Sequence, residues 1–157
     1  MSFARLAQLA IVAATIVIGS PANAIPLAYG TYYDEHLSLS CSNVIFCRVN
    51  FSQLPPDKLL MANKINCRIT STTPISGAYL LISATLDGGP LTRLLPLGLP
   101  APALIGGLNI YHFREDAHFL IGQARYPVVY VDLPSTTTNV VMFCTLIGDL
   151  VTPIPIQ

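Results

Sequence analysis

LLMANKINCRITST, residues 59–72, sets Ile65, Cys67 and Ile69 against Lys64, Asn66, Arg68 and Thr70. Apolar and polar side chains alternate residue by residue, the spacing of a half-buried β-strand and not the roughly 3.6-residue repeat of a helix. Residues 44–54 read the same way, with Cys47, Val49 and Phe51 opposite Arg48, Asn50 and Ser52. Pro55-Pro56-Asp57 separates the two strands and also offers a start for a short helix over 57–62.

Residues 25–40 read as an entry segment with a first strand at 37–39. Residues 78–86 are almost continuously apolar, which suits a strand buried on both faces. Asp87-Gly88-Gly89-Pro90 is a turn signal, because glycine supplies positive φ. Residues 91–97 predict another strand, near an edge because Pro96, Pro100 and Pro102 cannot donate to a ladder. Residues 105–113 and 118–123 predict a hairpin around Arg114-Glu115-Asp116-Ala117. Residues 126–133 and 138–151 complete the set. About seven to nine strands and no amphipathic helix predict an all-β protein, an antiparallel β-sandwich. Jelly-roll connectivity is preferred. Immunoglobulin-like connectivity ranks second because the chain has no Trp to fill its core.

The chain has 157 residues, 52% hydrophobic and 10% charged, with 8 Lys+Arg against 8 Asp+Glu. A neutral chain has no basic stripe for phosphates, which argues against nucleic-acid binding. High hydrophobicity argues against disorder, and 13 Pro with so few charges argue against a coiled coil.

Residues 1–24 read as a secretory signal peptide. A basic start at Arg5 precedes an apolar run over 6–18, a Gly19/Pro21 break and Ala22-Asn23-Ala24, placing cleavage between Ala24 and Ile25. The run of about 13 residues is shorter than the roughly 20 that a membrane span needs. The signal forms a short helix, and residues 25–157 form one exported domain, periplasmic or secreted, with no membrane span after processing. Removing Arg5 leaves 7 basic against 8 acidic residues. So little charge weakens the usual defence against self-association, and a homo-oligomer is within expectation.

Four cysteines in an exported chain read as two disulfides. Of three pairings, Cys41–Cys47 with Cys67–Cys144 is preferred. The first closes a short loop turning at Ser42-Asn43. The second joins an early strand to the last one, and closing so long a loop stabilises by about 4 kcal/mol. Neither C-x2-C zinc spacing nor a redox C-x-x-C is present.

The densest polar cluster is His112, Arg114, Glu115, Asp116 and His118. His112, Asp116 and His118 are the candidate metal ligands, gathered across the predicted hairpin. Against them, an H-x-H pattern would need an imidazole where Arg114 stands, and a cation there repels a metal. A solvated hairpin tip is the preferred reading. Asp34-Glu35-His36 reads as an exposed polar segment, since neighbours on a strand face opposite ways and make no acid–base pair. Tyr29, Tyr32 and Tyr33 could stack on a sugar or pack an entry strand. Asn50-Phe51-Ser52 matches a glycosylation sequon but sits mid-strand. No G-x-S-x-G, S-x-x-K, H-E-x-x-H or phosphate-binding glycine loop occurs, and Gly88-Gly89 and Gly106-Gly107 read as turns.

The sequence therefore predicts an exported, disulfide-stabilised β-sandwich with a non-enzymatic binding or structural role and no cofactor. Its expected partner is a protein or glycan of the envelope. The alternatives are a metal-dependent enzyme built on the His112–His118 cluster and a carbohydrate-binding module.

Overall fold

The computed structural model describes residues 27–87, 89, 91–136 and 138–154. The signal-peptide helix and the Ala24/Ile25 cleavage point lie outside the described residues. Among the described residues ten strands run in chain order: β1 (Leu27–Tyr29), β2 (Tyr32–Cys41), β3 (Phe46–Asn50), β4 (Leu59–Ser71), β5 (Gly77–Ser83), β6 (Leu91–Pro96), β7 (Ala103–Ile105), β8 (Leu108–Ile121), β9 (Tyr126–Asp132) and β10 (Val140–Val151). No helix forms over 57–62. Residues 56 and 57 make a turn and β4 begins at Leu59. Among the described residues no helix is long and apolar enough to cross a membrane.

The strands pair antiparallel in two sheets. One holds six in the order β1-β2-β10-β4-β8-β7 and the other four in the order β3-β9-β5-β6. The sheets face each other across a core that includes Phe51, Ile65, Ile69, Leu80, Val129, Met142 and Leu146, each at 0% exposure. Setting aside the three-residue strands β1 and β7, the chain passes from sheet to sheet at β2–β3, β3–β4, β4–β5, β6–β8, β8–β9 and β9–β10, and stays in one sheet only at β5–β6. This is jelly-roll connectivity. An immunoglobulin sandwich ends with two strands in one sheet, whereas β9 and β10 lie in opposite sheets.

Period-two patterning produces these elements. In β4, Leu60, Ala62, Ile65, Cys67, Ile69 and Ser71 point inward. β5 is buried on both faces from Leu80 to Ser83. The step of three between Ala62 and Ile65 marks a β-bulge. Ile147 and Gly148 of β10 pair with Lys64 and Ala62, leaving Asn63 over. On the other side, Ala117 and His118 of β8 face that same Asn63.

The hairpin expected at 114–117 is not formed. β8 runs unbroken through it, and the reversal falls at Gly106-Gly107, joining Ile105 to its partner Leu108. Both glycines have positive φ, 58° and 79°, which a two-residue type I′ turn requires. The charged residues 114–116 carry no such requirement: they pair in register with Asn66, Ile65 and Lys64, and only Ala117 and His118 fall at the bulge.

Cys41 bonds Cys47 with Cα atoms 5.8 Å apart, so the first bridge fastens β2 of the six-stranded sheet to β3 of the other. The short loop between them turns at Asn43, whose φ is 58°. Cys67 bonds Cys144, its direct register partner, with Cα atoms 4.2 Å apart. Two such bridges point to folding in an oxidising compartment.

Candidate ligand groove on the six-stranded sheet

The outward residues of β2, β10, β4 and β8 make a polar grid. Register sets His36, Thr145, Asn66 and Arg114 side by side in one row. The next row reads Ser38, Phe143, Arg68 and His112. Adjacent strands lie about 4.8 Å apart, so each row crosses about 14 Å of sheet. A shallow groove of about 410 Å³ lies here, lined by His36, Asn66, Arg68, His112, Arg114 and Phe143 among others.

Two of the chain's three His and two of its eight Lys+Arg line this groove, and no carboxylate does. Arg68, His112 and Arg114 are exposed. None of the three has a hydrogen-bond or ion-pair partner among the described residues. His36 Nδ1 lies 2.9 Å from Thr145 Oγ1. Asn66 Oδ1 is buried without a partner among the described residues. Phe143 is 40% exposed, a ring open to the groove. In the row on the other side of His36, Thr145, Asn66 and Arg114, Lys64 is paired with Asp116 at 3.6 Å. On this sheet face, among the described residues, the unpaired guanidinium groups are thus confined to two rows.

The candidate metal ligands separate. His112 lines the groove, whereas Asp116 and His118 lie further along β8. Along an extended strand His112 and His118 are about 20 Å apart. Among the described residues no three His, Cys, Asp or Glu side chains gather to hold a metal. His118, at the bulge, has a φ of 42°.

Asp34-Glu35-His36 is not simply an exposed segment. Alternation turns Glu35 inward, where it is 2% exposed. Ser52 donates its backbone N–H to both carboxylate oxygens at 3.2 and 3.0 Å, and its hydroxyl at 2.8 Å. The Tyr33 hydroxyl donates as well. Burial, then the hydrogen bond to Glu35 and its negative charge, pushes the Tyr33 phenol far above its ordinary value of 10. The tyrosine group therefore divides, with Tyr33 in the core and Tyr32 44% exposed. The sequon is structural: Ser52 serves Glu35, and Asn50 Nδ2 donates to the Leu86 carbonyl at 2.9 Å.

A second carboxylate mirrors the first. Register places Glu35, Leu146, Ile65 and Glu115 in one inner row, so acids stand at both ends. Glu115 Oε1 accepts the Gly98 backbone N–H at 2.6 Å. Each carboxylate catches a loop on its own flank of the sandwich.

The outer face of the four-stranded sheet carries the aromatic cluster that the sequence reading missed. Phe46 stacks on Tyr130 with centroids 5.4 Å apart, and Tyr79 lies 6.3 Å from Tyr130. The signal was present in the alternation of β3, β5 and β9, but these rings are far apart in sequence.

Searches of protein-family models, of curated proteins and of solved structures each found no match to this chain.

Proposed function

We propose that the protein is an exported, non-enzymatic binding module of the cell envelope or extracellular space, holding its partner on the outer face of the six-stranded sheet. One observation carries this reading: Arg68, His112 and Arg114 converge on one groove without partners among the described residues. In a chain with 10% charged residues, unpaired cations in one place are a concentrated resource for recognition. The signal-like start and the two disulfides support the extracytoplasmic setting.

The test is affinity capture from envelope extract and culture medium, using immobilised wild type beside an Arg68→Ala/Arg114→Ala double variant. The expected result is a partner held by the wild type and lost by the variant, and an exported chain whose N-terminus is Ile25. Capture that is equal on both, or cytoplasmic retention of the full chain, overturns the reading.

A further inference from the structure

We infer that the groove takes an anionic oligosaccharide, a sugar chain bearing carboxylate or sulfate groups. This rests on the proposed binding role and specifies its ligand.

Three features of the groove each ask for a different part of such a molecule. Arg68 and Arg114 sit on β4 and β8, one row apart, with no carboxylate lining the groove. Guanidinium forks pair with planar or tetrahedral anions through two parallel hydrogen bonds. Phe143 lies beside Arg68 in register and presents an open ring near the middle of the grid. The apolar C–H face of a pyranose stacks on such a ring. Asn66 Oδ1, between Thr145 and Arg114 in its row, is an acceptor with no donor among the described residues. Asn66 also lines the groove, and once its side chain turns outward a ligand hydroxyl can donate to it, which a bare sulfate ion cannot do. A ligand carrying anions, hydroxyl donors and an apolar ring face together is a sugar acid or a sulfated sugar. His36 and His112 add polar contacts at the two ends of the grid, and Thr145 adds one beside its middle. The rows cross about 14 Å of sheet, which gives room for a short oligosaccharide and more than one charged ring.

The experiment is calorimetric titration of the purified mature protein at low salt. The probes are oligogalacturonate, oligomannuronate, dextran sulfate, methyl-esterified oligogalacturonate and polyglutamate. At least one of the three anionic sugars should bind, and the tighter of the carboxylate and sulfate forms identifies the anion. The ester keeps every ring and hydroxyl but loses the charge, and should bind at least about ten-fold more weakly than its acid if the acid is a ligand. Arg68→Ala and Arg114→Ala should each weaken binding about ten-fold. Phe143→Ala should also weaken it, while His118→Ala, outside the groove, should leave it unchanged. All four positions are exposed, so melting curves should confirm intact folds. The inference is overturned if no anionic sugar binds, if ester and acid bind alike, if Phe143→Ala binds as wild type, or if polyglutamate binds as tightly as any sugar. If sugars fail while affinity capture still depends on Arg68 and Arg114, this inference falls and the binding role stands. If both fail, both fall.

Discussion

Glu35 is a buried carboxylate held by Ser52 and Tyr33 donors, with no cation paired to it among the described residues. Glu35→Ala strands the Ser52 amide and hydroxyl and the Tyr33 hydroxyl in the core, and should destabilise by about 2–4 kcal/mol in denaturant titration. Glu35→Gln keeps an acceptor and should lose less. Tyr33 makes stability fall at alkaline pH. Below pH 10 the folded and unfolded chains both keep its proton; above it the unfolded phenol ionises while the folded one resists, so rising pH favours unfolding. Unfolding free energies at about pH 8 and about pH 11 should show a drop in wild type that Tyr33→Phe reduces. The inward turn of Glu35 was partly legible: it shares its phase with Tyr33 and Leu37. Polarity masked this, because a carboxylate enters a core only where donors await it, and Ser52 lies 17 residues away.

At the scale of the strand, the bulge shared by β4, β8 and β10 explains two residues that pattern reading passes over. A Cβ on Gly148 would meet the Met61 carbonyl oxygen, and would also come 2.8 Å from Leu60 Cδ1. Glycine inside a strand often marks such an approach. Gly148→Ala should therefore lower stability by about 2 kcal/mol or more, read as a shift in denaturant midpoint. His118 occupies the left-handed region, where a β-branched side chain is strained. His118→Gly should be close to neutral, while His118→Val should destabilise by about 1–2 kcal/mol in the same assay. The paired strands were readable because Ile65, Cys67 and Ile69 keep strict alternation. The spacing from Ala62 to Ile65 held the bulge, but a single skipped residue looks like a ragged strand end until its neighbours are known. The false hairpin had the same origin: charge at 114–117 resembles a turn, whereas the two glycines at 106–107 meet a turn's backbone requirement. The three-residue strands β1 and β7 cover only Tyr32–Asp34 of β2 and Leu108–Ile110 of β8, so among the described residues most of each long strand presents an unpaired outer edge, the kind of ladder another chain can extend.

Across the whole molecule, sandwich architecture followed from strand count and period, because every strand needs a buried face. Strand order did not, since it depends on pairings distant in sequence. The groove was equally hidden, for its six principal residues come from four strands and meet only through register. The bridges differ in reach. Replacing Cys67 and Cys144 with Ser, a separation of 77, should destabilise by about 4 kcal/mol; the same change at Cys41 and Cys47, a separation of 6, by about 2 kcal/mol. Equal losses in thermal or denaturant unfolding would contradict this loop-length argument. Strand β10 also occupies a revealing place: it lies between β2 and β4, which do not pair with each other. A chain that emerges from its N-terminus has no strand to bridge β2 and β4 until β10 is out. Closure of the six-stranded sheet therefore depends on β10, which also carries Cys144 to Cys67.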